Sequence, residues 1–151
     1  MAAKTTEHGP PVQQFSVMLK NRVGALAALV KMLRIHGIEV LGLSMQDARD
    51  ATIARIVVSD PEQTEQMFLE KGIPHTICEL LVVELKEAGP NLLQCLDHLM
   101  VAETNVDFAY PLLSTHRGYS LLAMHVDDLE FAASILNCAG FCLIWQDSLS
   151  R

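Results

Sequence analysis

No apolar run in this chain is long enough to cross a bilayer: charge interrupts the longest stretches within about ten residues, against the roughly twenty a spanning helix needs. No basic-then-apolar leader opens it. Met1 to Pro11 is polar, carries two prolines and is expected to be a disordered tail. Positive charge is also scarce. Eleven Lys and Arg stand against eighteen Asp and Glu, a formal net charge of -7, which argues against a nucleic-acid backbone as partner. The four cysteines, Cys78, Cys95, Cys138 and Cys142, lack the clustered spacing of a disulfide framework. A chain that is 50% hydrophobic can build a core without staples, so they are read as reduced core or near-core thiols of a cytoplasmic protein. A strained nucleophile turn of the G-x-S-x-G kind is absent too, and no acid, base and nucleophile set stands in its place.

What is there repeats. Val12 to Lys20 alternates, with Phe15, Val17 and Leu19 on one face, as a half-buried strand does. Leu26, Leu29, Val30 and Leu33 form a helical stripe that ends near His36-Gly37, where glycine can supply a C-cap. Strands are expected over Ile38 to Asp47 and Thr52 to Ser59. Asp60-Pro61-Glu62 then starts a second helix, which runs to Lys71-Gly72, and a strand follows over Ile73 to Cys78. The second half restates this order. Leu81, Val83 and Leu85 alternate, and Leu92, Cys95, Leu96 and Leu99 make a stripe. Strands follow over Asn105 to Leu113 and Tyr119 to Val126, separated by a turn. Asp127 or Asp128 caps a helix that ends at Gly140, and Phe141 to Gln146 is the last strand.

The registers coincide at an offset of 66, pairing Phe15 with Leu81, Leu19 with Leu85, Leu26 with Leu92 and Leu33 with Leu99. A βαββαβ unit with right-handed crossovers gives a four-stranded antiparallel sheet with both helices on one face. The expected fold is therefore α+β: two ferredoxin-like units, residues 12–78 and 79–151, after a tail over 1–11. One such unit is marginal alone. Two in tandem can extend one sheet edge to edge or stack, and with no linker between Cys78 and Leu85 they are expected to form one rigid body.

The join of the first strand and helix reads Asn21-Arg22-Val23-Gly24-Ala25. Helix-start amides point outward without partners and carry partial positive charge. Gly24 would let a carboxylate approach that backbone, and Asn21 offers a donor and an acceptor to a zwitterion. The plainer reading also stands: Gly24 makes the turn and Asn21 caps the helix.

The tandem pattern, with "KNRVGALAALVKMLRIHGIEV" after the first strand, resembles the ACT domain family of amino-acid-binding regulatory modules. The resemblance runs from about Val12 to Ser148 and is strongest in the first unit, where Val23 replaces the usual proline. It is closest to stand-alone tandem proteins described as relatives of the acetolactate synthase small subunit. It implies a ligand site where one unit's first loop faces the second strand of a partner. Carried over, that site is Asn21, Val23, Gly24, Ala25 and Leu26 with Asn105. The other pairing, Glu87, Gly89 and Pro90 with Glu39, is altered on both sides, and two carboxylates there would repel a ligand's own. One good site per chain is the expectation. If like units of two chains pair instead, both sites are compromised.

Other combinations have plain structural readings. Cys95 and His98, His75 and Cys78, and Cys138 and Cys142 do not bring four zinc ligands together, so no metal is expected. Asp60, Asp127 and Asp128 are helix caps, and the scattered methionines are core filler. His116-Arg117-Gly118 reads as a solvated hairpin tip that could also meet an anion. Phe141 and Trp145 on the last strand either belong to the core or cover a dimer face. The resemblance implies a non-enzymatic sensor of a small amino acid, needing no cofactor and working as a homodimer. A free-standing regulatory subunit gripping a biosynthetic enzyme such as acetolactate synthase is the alternative. An enzyme on the same sheets is a third reading, with no reactive set to support it.

Overall fold

The computed structural model describes residues 9–20 and 23–150. Its first unit is built from β1 (Val12–Lys20), α1 (Ala25–Ile35), β2 (Val40–Asp47), β3 (Ala51–Val58) and α2 (Pro61–Lys71). Next comes β4, a single strand over His75–Leu85. The second unit continues with α3 (Ala88–Val101), β5 (Val106–Pro111), β6 (Ser120–Val126), α4 (Leu129–Cys138), β7 (Leu143–Ile144) and a final turn of helix, α5 (Gln146–Leu149).

The expected helix starts form as the side chains dictate. Asp60 accepts the Gln63 amide at 3.1 Å with Pro61 in the first turn, and Asp128 accepts the Phe131 amide at the same distance. Gly72, at φ 66, closes α2 in the left-handed conformation that only glycine adopts cheaply.

All pairings are antiparallel. β3 lies between β2 and β1, and β1 pairs with β4 over His75 to Leu80. From Leu81 to Leu85 the same β4 pairs with β6, and Val82 and Val83 pair with β7 on its other side. β5 lies outside β6. One strand thus closes the first sheet and founds the second, where two separate strands were expected. Its second half is buried on both faces.

Three cores result. Phe15, Leu29, Leu33 and Phe68 lie between the first sheet and α1 and α2. Val83, Cys95, Leu99 and Leu136 fill the equivalent space under α3 and α4. The third core joins Leu41 and Val57 of the first unit to Tyr110, Leu112 and Leu121 of the second. The helix-free faces therefore cover one another, and the units stack as helix, sheet, sheet, helix, one of the two arrangements the tandem repeat allowed. The approach is close at Gly42, where an added Cβ would stand 2.5 Å from Leu112 Cδ2 and 3.3 Å from Val57 Cβ. A polar strip crosses this seam: Tyr110 donates its hydroxyl to Gln14 Oε1 at 2.7 Å, and the Arg55 guanidinium sits 4.1 Å above the Phe108 ring.

Three expectations need correction. The last strand keeps only Leu143 and Ile144. Gln146 instead turns the chain across the end of the first sheet, donating to the Val58 carbonyl and accepting from the Gln13 amide. Cys138 is exposed on α4, while Cys95 is buried; all four thiols are free. Burial pushes the Cys95 thiol up to about 11. The hairpin tip is not merely solvated. His116 Nδ1 lies 2.8 Å and Arg117 Nη2 3.3 Å from the carboxylate of Glu84, whose side chain is wholly buried.

Candidate functional site

β1 ends at Lys20 and α1 starts at Ala25, and a cleft of about 350 Å³ opens at that join. Gly24, at φ 83 and ψ 0, is the N-cap of α1. That conformation, rather than lack of room, requires glycine: an added Cβ would meet nothing within 4 Å. Among the described residues no side chain caps the helix, and its first turn carries no acidic residue. The α1 start is therefore electropositive and open, and Ala25, Leu26 and Ala27 of its first turn line the cleft. Lys20 adds a full positive charge at the rim. Leu19, Leu26 and Met45 supply apolar wall, and Thr52 a hydroxyl. One end of the cleft suits a carboxylate and the other an aliphatic chain. Lys20, Met45 and Thr52 were not anticipated from the sequence. They reach the cleft through cross-strand register, which places Ala51 opposite Lys20 and Thr52 opposite both Leu19 and Asp47.

The expected residues divide. Gly24, Ala25 and Leu26 come together in the cleft. Val23 is fully exposed beside it and is not part of its wall. Asn21 lies outside the described residues. Asn105 precedes β5 in the second unit, exposed, and donates its amide to Asp107 Oδ1 at 2.8 Å; the cleft is walled by the first unit alone.

The second unit's counterpart is built differently. Gly89 lies inside the first turn of α3, and Asn91 Oδ1 reaches back to accept the Glu87 amide at 2.8 Å. The Glu87 amide is thus occupied by the protein's own side chain and Glu87 adds negative charge, although α3, like α1, has no N-cap side-chain bond and no acid in its first turn. Glu39, the other member of that altered pair, lies before β2 with its amide donated to Ser59 Oγ. A separate polar cavity of about 360 Å³ lies beside α3, with Glu84, Lys86, Asn91 and His98 in its wall. Among the described residues, no group of three or more His, Cys, Asp or Glu side chains is placed to hold a metal. Cys95 instead fills the second core, and His75 packs against the rings of Phe15 and Phe68. No described helix is long and apolar enough to cross a membrane.

Comparison with known proteins agrees with this architecture. A crystal structure of protein BT0572 from Bacteroides thetaiotaomicron superposes with a TM-score of 0.84 at 17% identity, covering 93% of this chain and 96% of that one. The ligand-free regulatory subunit of aspartate kinase from Thermus thermophilus gives 0.61 at 11% identity, over 87% and 92% of the two chains. At these identities the likeness is one of fold. No curated protein matches the sequence. The ACT domain pair family matches residues 11–149, nearly the whole chain and both sheets, and the chain belongs to that family.

Proposed function

We propose that this protein is a non-enzymatic regulator of amino-acid metabolism that senses a free amino acid at the start of α1, in the cytoplasm and as a homodimer. The observation that carries this reading is the helix start at Gly24, acid-free and without a side-chain cap among the described residues, in a cleft that Lys20 and aliphatic side chains also line. The amino acid's carboxylate takes the α1 amides and Lys20, and its side chain lies against Leu19, Leu26 and Met45. An apolar amino acid fits best. Asn21 completes the site in this reading, and since Asn105 does not line this chain's own cleft, it joins the site from the partner protomer, exchanging Asp107 for the ligand's polar end. The units 12–78 and 79–151 act as the two halves whose packing the ligand biases through differential affinity.

A thermal-shift screen of the twenty amino acids tests it. Apolar members should raise Tm by roughly 5 °C or more at about a hundredfold excess over Kd. No shift with any amino acid would remove the sensor claim.

The second reading is a regulatory subunit that grips a biosynthetic enzyme such as acetolactate synthase. It is favoured by Leu93, Met100 and Val101, which stand well exposed on α3, with Phe131 half-exposed on α4. Capture of one defined enzyme by the purified protein, with a change in that enzyme's activity, would favour it over a lone sensor.

A further inference from the structure

A further cavity, of about 240 Å³, lies on the seam between the units. Its walls come from three places: Glu39 and Ser59 of the first unit, Ser114 and His116 of the β5–β6 connection, and Ser148 beside the α5 end. The seam is tight here, since the Leu41 carbonyl accepts both the Leu113 and Ser114 amides, at 2.8 and 3.1 Å. The cavity wall is unusually polar for a place between packed sheets. Ser114 Oγ is buried and has no hydrogen-bond partner among the described residues. A buried hydroxyl without a partner is costly, and it is rare in a folded chain unless something else satisfies it. Ser59 Oγ accepts the Glu39 amide at 2.9 Å and keeps its own hydrogen to donate. His116 spends Nδ1 on Glu84, which leaves Nε2. Glu39 is an exposed residue whose carboxylate has no cationic partner among the described residues.

We propose that this seam cavity binds a small molecule bearing a primary ammonium next to a hydroxyl or carboxyl group. Glu39 takes the ammonium, and Ser114, Ser59 and His116 take the oxygen. The volume lies below the range typical of drug-sized ligands, so the occupant is a small metabolite. The Glu39 carboxylate at the cavity wall selects positive charge and disfavours a simple anion. The cavity shares no wall residue with the cleft at Gly24, so the two sites are independent. Because its walls belong to both units, an occupant bridges them, and binding is coupled to how the two sheets sit together.

Amide chemical-shift titration of the full chain with ethanolamine, L-serine and ethylene glycol tests the proposal. Ethanolamine, L-serine or both should shift the amides of Ser59, Ser114 and Thr115 saturably. Ethanolamine alone would assign a free amine, and L-serine an amino acid. Glu39→Gln should weaken that binding by about tenfold or more, and Ser114→Ala by a smaller factor. Both variants should keep the wild-type spectrum elsewhere, and Gly24→Asp should leave the effect intact. The proposal fails if neither ammonium compound gives saturable shifts, if ethylene glycol binds as well as ethanolamine, or if Glu39→Gln binds undiminished. Shifts confined to Gly24–Ala27 would place the ligand in the other cleft and overturn it equally.

Discussion

At the scale of residues, the thiols and one phenol show how burial sets chemistry. Desolvation raises the Cys95 thiol from 9.0 to about 11 and raises Cys78 against the opposing charge of Arg55. Tyr110 is raised too, by burial first and Cys78 second, with Arg55 opposing. All three hold their protons more tightly folded than unfolded. Their effect on stability is therefore constant below pH 9.0, the ordinary thiol value, and unfavourable above it, reaching its full extent for Cys95 near pH 11. Stability should decline on the alkaline side across that window. Iodoacetamide at pH near 8 should modify exposed Cys138 first and leave Cys95 untouched until the chain unfolds, as mass spectrometry of the labelled protein would read. Labelling of Cys95 at the rate of Cys138 in the folded protein would contradict the packing described. The sequence placed all four cysteines among apolar neighbours and so marked them as core. Residue type cannot show which side of α4 faces water at its last position, and Cys138 falls there.

Among the elements, those with a local signal were legible. β1 spans Val12–Lys20 as its alternation implied, and α2 and α4 start at the capping acids. Elements set by distant partners were not. β4 reads as two strands when alternation alone marks a strand. Yet Leu80 to Leu85, "LLVVEL", is a continuous apolar run with one carboxylate, the pattern of a strand covered on both faces. The last strand was over-extended because nothing local shows Gln146 being drawn to the Val58 carbonyl. Glu84 carries the clearest element-scale prediction. His116 and Tyr119 exchange backbone hydrogen bonds at 3.1 and 2.9 Å around Arg117-Gly118, both at positive φ, 53 and 81. Arginine adopts that conformation at a cost, which the Arg117 ion pair and the His116 hydrogen-bond contact with Glu84 offset. Arg117 is mostly exposed, so His116 supplies the larger share. Glu84→Gln should cost about 1–3 kcal/mol in urea unfolding and speed amide exchange over Ser114–Tyr119. Unchanged exchange there would show that the turn holds without the carboxylate.

For the whole molecule, the shared strand and the third core bind the two units into one folding body. The repeat itself was visible in the sequence, as was the lack of a linker. Stacking rather than edge-to-edge extension was not, because the seam depends on contacts such as Gly42 against Leu112 that have no local signature. Thermal unfolding should show one transition by both far-UV and near-UV signals. Gly42→Ala should lower that transition without splitting it, at a cost of roughly 1–3 kcal/mol, since Val57 Cβ belongs to the backbone-bound part of its side chain and cannot move aside. Two transitions in the wild type would mean that the units fold separately and that the seam contributes little. A single body also matters for regulation, because a ligand can bias only an arrangement the protein holds as a unit.

The proposed sensing of an amino acid depends above all on the open helix start. Calorimetric titration of the amino acid giving the largest thermal shift, into wild type and into Gly24→Asp, tests it directly. An added Cβ there meets nothing within 4 Å but strains the positive-φ backbone, and the new charge opposes a carboxylate at the α1 amides. Saturable binding of one apolar amino acid per chain, lost in the variant while the fold persists, is the predicted result. Equal binding by both proteins, or no heat from wild type with any amino acid, would contradict it.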